Sequence, residues 1–114
     1  MTDSRGPTAN NLRGRVAFIT GSTRGIGWAT AQALAAAGAC VAINGLSPDA
    51  VEARRDELTD AGYDALATPF DVTDEASMIA AIDGIVAARG RLDILVTNAG
   101  FWRRKPFEDH TIED

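Results

Sequence analysis

Four short, continuous apolar runs divide this chain: Val16–Thr20 (VAFIT), Cys40–Asn44 (CVAIN), Ala65–Phe70 (ALATPF) and Leu92–Thr97 (LDILVT). An unbroken apolar run suits a strand covered on both faces, which is the condition of a parallel sheet. Between the runs the pattern lengthens to a helical period. In the first such stretch Ile26, Ala29, Ala33, Leu34 and Ala37 fall on one stripe, and Gly38 follows as a stop. Trp28 then lies about 200° around from Ile26, off that stripe. In the second stretch Ser47 is a competent N-cap, Pro48 suits the first turn, and Gly62 closes the end. The third, Thr73–Arg89, carries Met78, Ile82, Ile85 and Val86 on one face and ends at Gly90; either Thr73 or Asp74 can cap it. Right-handed crossovers turn this succession into a doubly wound parallel α/β sheet of four strands and three helices, most simply in the order 3-2-1-4.

A length of 114 residues corresponds to one domain. The polar start, residues 1–13, reads as a disordered leader, and residues 14–114 as the folded part. A net charge of −5 argues against nucleic acid or an anionic membrane as partner, because both select positive surfaces. No apolar run approaches the ~20 residues of a membrane span. The single cysteine, Cys40, cannot form an internal disulfide, so a reducing cytoplasm is the simplest location.

Directly after the first strand the chain reads TGSTRGIG, Thr20 to Gly27. A glycine at a strand-to-helix junction allows positive φ and close approach of another backbone. The free amides of the following helix, with its dipole, then favour an anion such as a pyrophosphate. In that reading Gly21 makes the turn, Gly25 opens room for phosphates, and Gly27 lets the helix press on the first strand. Taken alone, the spacing G-x-x-x-G-x-G serves a plain turn equally well.

Two further stretches lie on the same carboxyl edge, where open sheets bind ligands. Asp71 and Val72 follow the third strand, offering an acceptor for an adenine amino group and an apolar contact for its ring. Asn98, Ala99 and Gly100 follow the fourth, with a group to tie strand ends and small residues that leave space for a sugar. With T-G-x-x-x-G-I-G as Thr20 to Gly27, D-V as Asp71–Val72 and N-A-G as Asn98–Gly100, the chain resembles the short-chain dehydrogenase/reductase family from Leu12 onward. The resemblance implies a Rossmann-like dinucleotide-binding domain whose C-terminal half is missing. It implies that Thr20, Gly21, Ser22, Thr23, Arg24, Gly25, Ile26 and Gly27 hold a cofactor pyrophosphate. It implies further that Asp71 and Val72 meet the adenine, and that Asn98 to Gly100 lie beside the ribose nearer the nicotinamide.

The end of the second strand, Asn44-Gly45-Leu46-Ser47, is expected to touch the adenosine ribose. A carboxylate there would accept from both ribose hydroxyls and repel a 2′-phosphate. Gly45 stands where NAD-preferring relatives carry that acid, and Arg24 stands where NADPH-preferring relatives often carry a base; Leu46 departs from the Arg they often add. NADP(H) is therefore expected over NAD(H).

Cys40 reads as a small core residue and His110 as solvated surface, with no metal cluster around it. Phe101 and Trp102 belong to a packed loop or touch substrate. The resembled family moves the substrate proton with a Ser and a Tyr-x-x-x-Lys pair; the four serines here, Ser4, Ser22, Ser47 and Ser77, are leader, loop or helix-start residues, and the only tyrosine, Tyr63, is followed by Ala67 at the lysine position. The expectation is the cofactor-binding half of an oxidoreductase interconverting an alcohol and a carbonyl, inactive alone and homo-oligomeric at full length. Two alternatives stand beside it: a non-catalytic nucleotide-binding or interaction module, and another doubly wound binder such as a methyltransferase-like or flavodoxin-like domain.

Overall fold

A computed structural model describes residues 11–97. The elements run β1 (Val16–Ile19), α1 (Gly25–Ala36), β2 (Cys40–Ile43), α2 (Pro48–Asp60), β3 (Ala65–Ala67), α3 (Glu75–Arg89) and β4 (Ile94–Val96). All strand pairs are parallel, and the sheet order is β3-β2-β1-β4. This is the Rossmann-like arrangement that the alternating periods predict.

Alternate residues of β1 and β2 feed two separate cores. Ala17, Ile19, Val41 and Ile43 face α1 and α2, meeting Ala31, Ala35, Val51 and Leu58. Val16, Phe18, Cys40 and Ala42 face α3, meeting Ile85 with Met78 and Ile82 beside it. Both faces of the central strands are therefore covered, which accounts for their unbroken apolar sequence.

Of the predicted stripe of α1, Leu34 and Ala37 do pack inward, but the rest is corrected by the structure. Gly27, Ala31 and Ala35 are buried, whereas Ile26 is 76% exposed and Ala29 and Ala33 face outward. The smallest side chains are the ones that let the helix axis approach the sheet. In so alanine-rich a helix, hydropathy alone cannot tell that face from its neighbour. Trp28 is half-buried against the same core rather than apart from it. On α3, Asp74 proves to be the cap, accepting from the amides of Ala76 and Ser77, and Val86 is largely exposed. The third strand is shorter than predicted and ends before Pro69, which has no N–H to donate, although the Thr68 amide still bonds the Ile43 carbonyl. Residues 11–13, assigned by sequence to the leader, make a turn here: the Leu12 amide donates to the Ala37 carbonyl, and Leu12 packs on the first core.

Two carboxylates secure the amino edge of the sheet. Asp93 accepts the Val16 amide at 2.8 Å and a two-pronged bond from Arg91 at 2.7–2.8 Å. Arg89, at the end of α3, clasps Asp64 ahead of β3 at 2.8 and 3.0 Å. Hydrogen bonds from Arg91 and from the Val16 amide hold Asp93 below the usual carboxylate range, and the Arg89 hydrogen bond does the same for Asp64. Cys40 lies next to this second pair; burial and the adjacent Asp64 push its thiol up to about 11, so it stays protonated as a small core residue.

A carboxylate whose pKa is depressed by folding adds stability above its unfolded pKa, and that stability is lost as pH falls through the folded value. The parent chain is therefore expected to lose stability progressively as pH falls below about 5. Asp64→Asn combined with Asp93→Asn should lower the urea midpoint near neutrality and flatten that acid limb. Urea titrations across this range check both effects.

Candidate functional site

The carboxyl ends of β1, β2 and β3 converge on one set of hydrogen bonds. Ser22 is fully buried: its hydroxyl donates to the Ile19 carbonyl and accepts from the Asn44 amide, each at 2.8 Å. The Ser22 amide in turn donates to the Asn44 carbonyl at 2.8 Å. Asn44, 1% exposed, accepts the Gly21 amide at 2.8 Å through its side-chain oxygen. Its side-chain nitrogen donates to the carbonyls of Thr68 and Phe70 at 3.1 and 3.3 Å. The Thr20 amide donates to the Val96 carbonyl on β4. The first half of the glycine loop is thus sewn to three neighbouring strand ends.

In front of that seam lies an open cleft of about 1070 Å³. Of the residues singled out by sequence, Gly21, Thr23, Arg24, Gly25, Ile26, Asn44, Gly45, Leu46, Ser47, Asp71 and Val72 line it. Thr20, Ser22 and Gly27 are buried behind the loop. Asn98, Ala99 and Gly100 lie outside the described residues, as do His110, Phe101 and Trp102.

The start of α1, which borders this cleft together with the Ser47 end of α2, differs chemically from the other two helix starts. Ser47 caps α2 and Asp74 caps α3 with their own oxygens, whereas α1 begins at Arg24 with no side-chain cap. The first-turn amides of any helix have no acceptor within it, so those of α1 are left for an external one. Gly21 and Gly25 hold φ of 58° and 63°. A Cβ placed on Gly25 would meet nothing within 4 Å, so what the glycine protects there is open space. Gly45 differs in kind: a Cβ would stand 2.9 Å from Cγ2 of Thr23 and 3.2 Å from Cγ2 of Val51. Close packing against the loop, and not backbone conformation, requires that glycine.

Asp71 lines the cleft but also closes a local turn, its Oδ1 accepting from the amide and hydroxyl of Thr73 at 2.9 and 2.7 Å. Those two bonds hold its carboxyl below the usual range, so it is an acceptor at neutral pH. Leu46 and Ile26, 73% and 76% exposed, give the cleft apolar surface.

The sequence reading did not find the contribution of α2. Ala50, Ala53, Arg54 and Glu57 also line the cleft. Arg54 donates through Nε to the Thr23 carbonyl at 2.7 Å and through Nη1 to Glu57 at 2.9 Å, and its guanidinium centre stands 4.3 Å above the Trp28 ring. With Ser47 as cap, helical spacing puts Ala50, Arg54 and Glu57 on one face of α2, but nothing in the sequence turns that face to the loop. A second depression of about 450 Å³ between β3 and α3 has no ionisable side chain in its lining. Among the described residues no group of acidic, His or Cys side chains could hold a metal, and no helix is long and apolar enough to cross a membrane.

Comparison with known proteins follows this geometry closely. The uncharacterized oxidoreductase YxjF of Bacillus subtilis is 42% identical over 98 residues, covering 86% of this chain and 38% of that protein. A 7α-hydroxysteroid dehydrogenase solved with NADH and 7-oxo glycochenodeoxycholic acid superposes with a TM-score of 0.80 at 37% identity, covering 95% of this chain and 41% of that one. A gluconate 5-dehydrogenase from Burkholderia cenocepacia, solved with NADP and tartrate, gives a TM-score of 0.76 at 40% identity over 93% of this chain and 42% of that one. The chain therefore spans about two-fifths of the length of such relatives. Residues 15–114 match the short chain dehydrogenase family along their whole run. The resemblance carried by the glycine loop thus extends through the fold, and the chain belongs to the short chain dehydrogenases.

Proposed function

We propose that this chain is the nucleotide-holding part of an NAD(P)-dependent oxidoreductase that interconverts an alcohol and a carbonyl, with NADP(H) preferred. The observation that carries this reading is the uncapped start of α1, opening on the cleft behind Gly25, while Ser47 accepts one first-turn amide of α2 and Asp74 two of α3. Phosphate oxygens supply the missing acceptors, and the helix dipole favours their charge.

Gly21, Thr23, Arg24, Gly25 and Ile26 form the surface for the pyrophosphate; Thr20, Ser22 and Gly27 set its shape from behind. Asp71 accepts from the adenine amino group, while Val72 and Leu46 give its ring apolar contact. Gly45 and Ser47 border the adenosine ribose. Asn44, fully engaged within the protein, serves the site by holding the loop. Asn98, Ala99 and Gly100 take the nicotinamide ribose by family resemblance.

The preference for NADP(H) rests on charge. No carboxylate stands at position 45 to repel a 2′-phosphate, and Arg24 is exposed at the cleft. One relative was solved with NADH and another with NADP, so the preference has to come from residues such as these.

The nicotinamide, when bound, supplies the hydride chemistry at the substrate carbon. The residues described here bind and orient it. Tyr63 stands just ahead of β3, at the opposite end of the strands from the cleft, so these 114 residues are expected to bind nucleotide and to turn over nothing by themselves. A single protonated, buried cysteine suits a reducing cytoplasm.

Gly25→Val would place a β-branched side chain at positive φ and into the cleft. Its affinity for ADP should fall by about tenfold or more in a calorimetric titration. A parent chain that binds neither ADP nor NADPH would sink the proposal.

Arg24→Ala should weaken NADPH several-fold more than NADH, an exposed charge pair being worth up to about 1 kcal/mol. Gly45→Asp, the substitution that would restore an acid at the ribose, is expected to weaken both cofactors because its Cβ runs into Thr23. Thr23→Ser, which removes the clashing methyl, should recover binding in that background and turn the preference towards NADH. Paired titrations with the two cofactors check each variant.

A further inference from the structure

The second half of the glycine loop lacks the seam that holds the first. Asn44 and Ser22 fix residues 21 and 22, but α1 starts at Arg24 without a side-chain cap. A side-chain bond reaches across to this half from Arg54, which is 31 residues away in sequence and donates to the Thr23 carbonyl at 2.7 Å. The same guanidinium lies 4.3 Å over the ring of Trp28, in the first turn of α1. Its Nη1 is taken by Glu57 at 2.9 Å, and the side chain is 30% exposed. One group therefore bonds the loop, stacks on the helix that the loop begins, and is itself carried by α2.

The geometry points to Arg54 as the positioning residue of the nucleotide cradle, pinning Thr23 to α2 and to Trp28 so that Gly25 and the first amides of α1 are already arranged for an anion. This inference rests on the nucleotide reading of the cleft. A planar guanidinium can bond a carbonyl along its edge while its face covers an aromatic ring; an ammonium cannot do both. Occupying the Thr23 carbonyl also keeps a partial negative charge from turning towards bound phosphates. The edge and face of Arg54 are committed inside the protein, whereas Arg24 is exposed. Arg54 is therefore assigned to shape and Arg24 to charge recognition. Loss of Arg54 should weaken every ligand that uses the cradle, with or without a 2′-phosphate.

The test uses the 114-residue chain and Arg54→Gln, Arg54→Lys and Trp28→Leu, with Arg55→Gln, a charge on the same helix that pairs with Asp56 and does not line the cleft, as a control. The first readout needs no ligand: amide exchange in the free chain at Trp28 and Ala29, where α1 begins to hold its own amides, that of Trp28 donating to the Arg24 carbonyl at 3.2 Å. Arg54→Gln should speed it by about tenfold, as expected for losing a charge-assisted bond, while amides of β1 and β2 keep their protection. Trp28→Leu should give a smaller effect of the same pattern, Arg54→Lys should recover part of it, and Arg55→Gln should leave it unchanged. The second readout is affinity for ADP and for adenosine 2′,5′-bisphosphate plus NADPH, which Arg54→Gln should lower by a similar factor throughout.

Unchanged exchange at Trp28 and Ala29 in Arg54→Gln overturns the assignment whatever the binding data show. So does equal loss of protection in β1 and β2, which would make Arg54 a general fold residue. A loss confined to ligands with a 2′-phosphate would make it a direct ligand instead. Failure of the parent chain to bind any nucleotide counts against the nucleotide reading, while the exchange data still decide whether Arg54 pins the loop.

Discussion

The carboxyl edge of this domain depends on one buried amide. Asn44 meets the Gly21 amide on one side and the carbonyls of Thr68 and Phe70 on the other, at almost zero exposure. These are backbone groups at places where strands have ended and ladders no longer satisfy them. Each would cost about 1–3 kcal/mol if buried without a partner. A side-chain amide is well suited here because it presents an acceptor and donors from one short planar group. The ends of β1, β2 and β3 are thereby held in register after regular pairing stops, and the cleft takes its shape from that fixed edge.

Helix α1 shows the same economy by different means. It approaches the sheet through Gly27, Ala31 and Ala35 and leaves Ile26 outside at the cleft. The apolar residue best suited to a core is thus exposed, and the least bulky residues do the packing. Close approach brings the helix start over the strand ends, where its unpaired amides can meet a ligand. Packing and binding make the same demand for small side chains in this segment.

The sheet and its order were readable because β1 and β2 are buried on both faces, which forces unbroken apolar sequence, and because Gly62 and Gly90 close their helices in the usual way. That Thr20–Gly27, Gly45 and Asp71–Val72 gather on one side of the sheet was readable because strand ends in such a sheet share an edge. The face of α1 was not, since alanines at positions 29, 31, 33 and 35 carry nearly equal hydropathy and only distance to the sheet separates them. Nor was the distinction between Asn44 as a contact and Asn44 as a tie, because its partners are backbone atoms more than twenty residues away. Arg54 was hidden for a related reason: its chemistry appears only when α2 and the loop are brought together, and on its own helix it resembles any solvated charge paired at i+3.

The bond from the Val16 amide to Asp93 joins residues 77 apart, whereas β1–β2 and β2–β3 pairings close loops about a third as long, for roughly 1 kcal/mol less entropy. Assembly from local pairs therefore puts β3, β2 and β1 together with α1 and α2 first, and docks β4 afterwards. The Thr20–Val96 bond forms only with that late step, so the loop's innermost anchor is also the last to be set. A nascent chain would then carry the glycine turn before it can hold it still, and the binding edge would mature at the end of folding.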